Sequence, residues 1–166
     1  EQVGGTLQTV AKDVKIQIEF NPAQVSEYRL VGYENRMLRR EDFNNDKVDA
    51  GEIGAGHSVV ALYELALKGE GGERVDPLRY TGKAESALAD KNEIAFVKLR
   101  YKAPNGDKSQ LLTFPLKRAD VVEQLAGTSD DYRFSAAVAA FAQRLRGGQC
   151  LEGFDYPQII ELARNS

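Results

Sequence analysis

The chain has 166 residues, 42% of them hydrophobic and 28% charged, with a formal net charge of −3. That length supports a self-sufficient core, and the charge balance lacks the basic footprint of a nucleic-acid or anionic-membrane binder. No apolar run approaches the ~20 residues that span a bilayer, and the opening EQVGGTLQTVAKD has neither the basic nor the apolar region of a signal peptide. A single cysteine, Cys150, excludes an internal disulfide and a multi-cysteine zinc site. The chain opens on Glu1 rather than methionine, which leads us to expect a piece of a longer polypeptide.

Val14, Ile16, Ile18 and Phe20 alternate with Lys15, Gln17 and Glu19, the period-2 signature of a strand with one buried face. Asn21-Pro22 ends it, because proline removes a ladder donor. Tyr28, Leu30 and Gly32 against Arg29, Val31 and Tyr33 read as a second strand. The polar stretch from Glu34 to His57 follows, with Gly51, Gly54 and Gly56 near its end. Val59, Ala61, Tyr63, Leu65 and Leu67, backed by Val60, Leu62 and Ala66, predict a long strand at a central position in a sheet. Residues 69–90 carry turn signals at Gly71-Gly72 and Asp76-Pro77, with Leu78 to Tyr80 as a short strand.

A hairpin comes next. Ala95, Val97, Leu99 and Tyr101 alternate, Asn105-Gly106 suits the positive φ of a tight turn, and Leu112, Phe114 and Leu116 alternate on the return. The period then changes. Phe134, Val138, Phe141 and Leu145 share one helical face, with Thr128 or Ser129 to cap the start and Gly147-Gly148 to stop the end. Asp130 and Asp131 suit its positive end, and Arg144 and Arg146 its negative end. A second helix is expected from Asp155. It has Tyr156-Pro157 in the first turn, Gln158 completing a capping-box pattern, and Ile159, Ile160 and Leu162 as its buried stripe. Strands first and helices last, without βαβ alternation, predict an α+β chain. We expect a mainly antiparallel, immunoglobulin-like β-sandwich over residues 13–118 and a C-terminal helical pair over 119–166.

Several segments in order carry a family likeness: KDVKIQIEFNP from Lys12, YRLVGYENRMLRREDFNNDKVDAGEIGAGHSVVALYEL from Tyr28, VDPLRY from Val75 and DDYRFSAAVAAFAQRLR from Asp130. Together they resemble the C-terminal domain that follows a von Willebrand factor type A domain in a family of bacterial proteins. The resemblance implies that residues 1–12 are the link from, or the last helix of, a preceding type A domain, with 13–166 forming one domain. It also implies a place in the cell envelope, periplasmic or extracellular, and the type A domain of the same polypeptide as a partner. The Asp-x-Ser-x-Ser motif of the type A ion site is absent from these residues, so that site transfers to no position here.

Asp42, Asn44, Asp46, Asp49 and Glu52, preceded by Glu41, form the one cluster with metal-ligand chemistry. Asp-x-Asn-x-Asp opens like a calcium loop, which needs many oxygen ligands. The sixth position is then Lys47 instead of glycine and the twelfth is Ile53 instead of glutamate. Arg36, Arg39, Arg40 and Lys47 are at hand to neutralise the acids, so a solvated loop with Asx turns and exposed ion pairs is the favoured reading. Gly51, Gly54 and Gly56 lack a following helix and read as turn or bulge glycines instead of a phosphate loop. His57 is the sole histidine, and with Cys150 it makes the one conceivable dyad, which no third residue supports. The expectation is a non-enzymatic module without a cofactor or metal, contacting a protein partner through the Glu41–Glu52 loop. The alternative is an ion- or ligand-binding domain, with Ca²⁺ at the same loop.

Overall fold

A computed structural model describes residues 8–32, 40–47, 50–72, 92–147 and 154–166. The strands are β1 (Thr9–Phe20), β2 (Val25–Val31), β3 (Gly51–Gly54), β4 (Leu62–Leu67), β5 (Glu93–Lys102) and β6 (Ser109–Lys117). Two helices follow, α1 (Asp130–Leu145) and α2 (Tyr156–Arg164). The class is α+β, as expected: antiparallel sheet first, helices last. One sheet has the order β3-β1-β5-β6, and β2 and β4 form a two-stranded ribbon. The chain divides into two compact units. One is drawn from Glu1–Tyr28, Asn35–Val59 and Leu65–Ala119, the other from Arg29–Glu34, Val60–Glu64 and Asp120–Ser166.

In the first unit β1 begins at Thr9, reaching back into the stretch read from sequence as a link. It pairs antiparallel with β5, Ile16 opposite Leu99, Ile18 opposite Val97 and Phe20 opposite Ala95. Lys12 meets Lys102 while Lys15 meets Arg100, so β1 carries one extra residue over that stretch. This is a β-bulge, and Asp13 takes up the irregularity at φ 52°, a left-handed conformation that aspartate tolerates better than most residues. Asn21 closes β1 as the sequence implied. Its side chain accepts from the Ala23 amide and donates to the Glu93 carbonyl at 2.7 Å.

The expected burial of β1 is corrected. Ile16 is 52% exposed, and Lys15, on the opposite face, is 3% exposed. Alternation states which residues share a face but not which face is covered. The long central strand is corrected as well. β4 starts at Leu62, leaving Val59 and Val60 exposed, and its partner is β2 alone among the described residues. Gln24 accepts from the Lys68 amide, Ser26 bonds the Ala66 carbonyl, and Arg29 pairs with Glu64. In that antiparallel order the start of β4 comes level with the end of β2, where Gly32 turns the chain at φ 125°. Among the described residues the upstream valines then have no ladder to join. Tyr33 and the short strand at Leu78 to Tyr80 lie outside the described residues.

The β5–β6 hairpin is present, but its turn differs from the expected one. Lys102 pairs with Ser109, and the Gly106 amide donates to the Ala103 carbonyl at 2.9 Å. Pro104 and Asn105 therefore occupy the centre of the turn, and neither Asn105 nor Gly106 has a positive φ. Proline at the second position of an ordinary turn outweighs the Asn-Gly preference for a mirror-image one.

In the second unit Ser129 caps α1, its hydroxyl accepting from the Tyr132 amide, with Asp130 and Asp131 in the first turn. Asp155 caps α2 in a capping box with Gln158, whose side chain accepts from the Asp155 amide at 2.9 Å. The buried faces are not the expected ones. Ala137 is 1% exposed and Ala140 is buried, whereas Phe134, Val138, Phe141 and Leu145 are all exposed. On α2 Ile159 is buried but Ile160 is exposed. Phe141 and Tyr156 touch edge to face at 6.2 Å, and Arg144 bonds Asp155 at 2.8 Å at the rim. No helix among the described residues is long and apolar enough to cross a membrane.

Candidate functional site

The acidic loop is built onto the charged face of the four-stranded sheet. After the bulge at Asp13, Lys15 on β1 stands opposite Arg100 on β5, and Lys102 lies two residues further on. Over them folds a 3-10 turn, Arg40–Asn44, with Phe43 buried beneath it. The Lys15 ammonium donates to the carbonyl of Asn45 at 2.5 Å and to that of Asp42 at 3.3 Å. The Lys102 ammonium donates to the carbonyl of Asp46 at 2.8 Å and to Asp13 Oδ2 at 2.6 Å. Arg100 donates to Asn44 Oδ1 at 3.2 Å and to the Ser109 hydroxyl at 2.6 Å, and its guanidinium lies 5.7 Å from the centre of the Phe43 ring. Its Nε is buried without a hydrogen-bond partner among the described residues.

Two titrations are shifted here. The Ser109 hydrogen bond, helped by the Lys102 and Arg100 charges, holds the Asp46 carboxyl below its ordinary range. The hydrogen bond that Lys102 donates to Asp13, aided by the negative charge of that carboxylate, raises the Lys102 ammonium above its ordinary range. Both groups therefore keep their charges over the physiological interval.

This geometry changes the meaning of the acidic cluster. Three carbonyls of the loop, those of Asp42, Asn45 and Asp46, already accept from ammonium groups. The ammonium groups of Lys15 and Lys102 lie against the backbone of the loop, and a divalent cation brought beside them would meet two positive charges. Among the described residues no group of three His, Cys, Asp or Glu side chains converges. Asp42, Asn44 and Asp46 each meet a different cation of the sheet, Lys15, Arg100 and Lys102 respectively, while Glu52 sits exposed on β3. Asp49 and the Glu41 side chain lie outside the described residues, as do Arg36, Arg39 and Cys150. His57 is exposed in the turn after β3, where Gly56 has a φ of 75°.

Sequence reading missed Asp13, Lys15, Arg100, Lys102 and Ser109, which hold the loop. It looked for counter-charges among neighbours in the chain, whereas Lys15 lies 30 positions from Asn45 and Lys102 lies 56 from Asp46. The one local signal was Lys12-Asp13, charged residues ahead of an apolar alternation.

The fold and the site define an α+β domain built on a small antiparallel sheet, with a loop latched by lysines across one face. The chain belongs to the family described as "Uncharacterized protein YfbK, C-terminal", which it matches over residues 5–166. It is similar to "Uncharacterized protein YfbK" of Escherichia coli (strain K12), with 50% identity over 159 residues. That alignment covers 95% of this chain and 27% of the relative, so the chain spans about a quarter of the curated relative's length. No solved structure matches the chain.

Proposed function

We infer that the chain is a non-enzymatic accessory module of a longer bacterial envelope polypeptide, joined to a type A domain and acting through protein contact. The observation that carries this reading is the latch. Lys15, Arg100 and Lys102 all donate to groups of the chain itself, spending their charges on fixing a surface loop. A catalytic cation would instead be left facing a substrate. A loop held in one conformation loses little entropy when a partner binds it, which favours recognition over chemistry.

The test compares three forms of the longer polypeptide: intact, lacking this chain, and carrying Lys15→Met. Partner recovery by affinity capture and the melting temperature of the type A domain are both measured. Deletion is expected to lower both, and Lys15→Met to lower recovery. If neither quantity changes on deletion, the accessory reading is wrong. Hydrolytic or transfer activity that survives purification and disappears with His57→Ala would replace it with an enzyme.

A further inference from the structure

The apolar face of the four-stranded sheet is the opposite of the latched one. Register places Ile16, Leu99 and Leu112 in one row, and Ile18, Val97 and Phe114 in the next. Ile16 is 52% exposed, Leu112 42%, Phe114 54% and Leu116 40%. An antiparallel sheet normally hides its apolar side and wets its polar one. Among the described residues the loop covers Lys15 and Lys102, while Ile16, Leu112, Phe114 and Leu116 stay open, the pattern of a docking surface and not of scattered surface residues.

We propose that this face is the seat of the preceding part of the same polypeptide, which lays an apolar surface across β1, β5 and β6. The inference rests on the accessory-module reading and names the surface through which the module is held. Two observations choose this occupant. The matched family is a C-terminal one and the chain spans 27% of its relative, so most of such a polypeptide lies upstream. The chain also enters the sheet on β1, an inner strand of the order β3-β1-β5-β6 that itself contributes Ile16 and Ile18 to the face. A segment tethered at that strand is present at an effective concentration of about millimolar, which a free partner seldom reaches. The rows carry no charged side chain, so the fitting surface is apolar.

Carbene footprinting with mass spectrometry tests this on the dilute chain and on the longer polypeptide. Ile94, 2% exposed, reports that the sheet is folded in both. In the longer polypeptide Ile16, Leu112, Phe114 and Leu116 are expected to lose most of their label, independently of concentration. In the chain alone they should keep it. Equal labelling in the two would overturn the proposal. Protection that the chain acquires only on concentration would assign the face to a second copy, and protection in the dilute chain would assign it to the chain's own residues; either result overturns it. If labelling is equal while deletion still lowers partner recovery, the docking face fails and the accessory reading stands.

Discussion

Lys15 sends a buried ammonium from the middle of β1 to the carbonyl of Asn45, 2.5 Å away and 30 positions later in the chain. A strand lysine thereby determines the conformation of a loop whose own sequence is rich in acids. The same ammonium reaches the carbonyl of Asp42, so one side chain satisfies two backbone acceptors.

Removing that donor should therefore unfasten the loop. Lys15→Met keeps the length of the side chain and leaves two carbonyls without their donor, a loss of about 1–3 kcal/mol. Chemical denaturation of the variant should show it, together with faster hydrogen exchange at the amides of residues 42–47. An unchanged midpoint would mean that the loop is held by something other than the ammonium.

The pH dependence has two limbs with opposite signs. Asp46 has a folded-state pKa below its ordinary 3.8, so its contribution is complete above that value and is lost as the pH falls through the folded pKa. Lys102 has a folded-state pKa above its ordinary 10.5, so its contribution is complete below that value and is lost as the pH rises through the folded pKa. Ser109→Ala should bring the acid limb to higher pH and leave the alkaline limb in place. Thermal melts across the pH range would read both.

Calcium should find no site at the loop, because the Lys15 and Lys102 ammonium groups lie against its backbone and would repel a divalent cation. Calorimetric titration with Ca²⁺ is expected to give no heat, and millimolar Ca²⁺ no rise in melting temperature. Heat that disappears in Asp42→Asn with Asp46→Asn would restore the ion-binding alternative.

The helical pair makes a contrast between adjacent residues. Ala137 is buried against its surroundings, so Ala137→Leu should overpack that contact and cost about 1–3 kcal/mol. Val138, one position on, is 52% exposed, so Val138→Ala in the chain alone should be neutral or slightly stabilising, since alanine is the better helix former. The reverse order of effects would return the buried face to the Phe134-Val138-Phe141-Leu145 stripe.

Helix caps should behave as local chemistry dictates. Ser129 accepts from the Tyr132 amide, and Ser129→Ala should cost about 0.5–2 kcal/mol by freeing that donor. Ser129→Asp should restore most of the loss, as judged by the same denaturation midpoint.

What the amino-acid order determined by itself is what short-range forces determine. Asn21-Pro22 ends β1, Ser129 and Asp155 start the helices, and the alternations from Ala95 and Leu112 make a hairpin. Each depends on neighbours a few positions apart, through a cap, a turn or the period of a strand. Tertiary structure decided the rest. It buried Ala137 and Ala140, left Ile16 and Phe114 open, and drew Lys15, Arg100 and Lys102 beneath the acidic loop. Periodicity groups side chains onto a face, but which face is covered depends on distant segments, and the carbonyls that meet Lys15 and Lys102 lie 27 to 56 positions away.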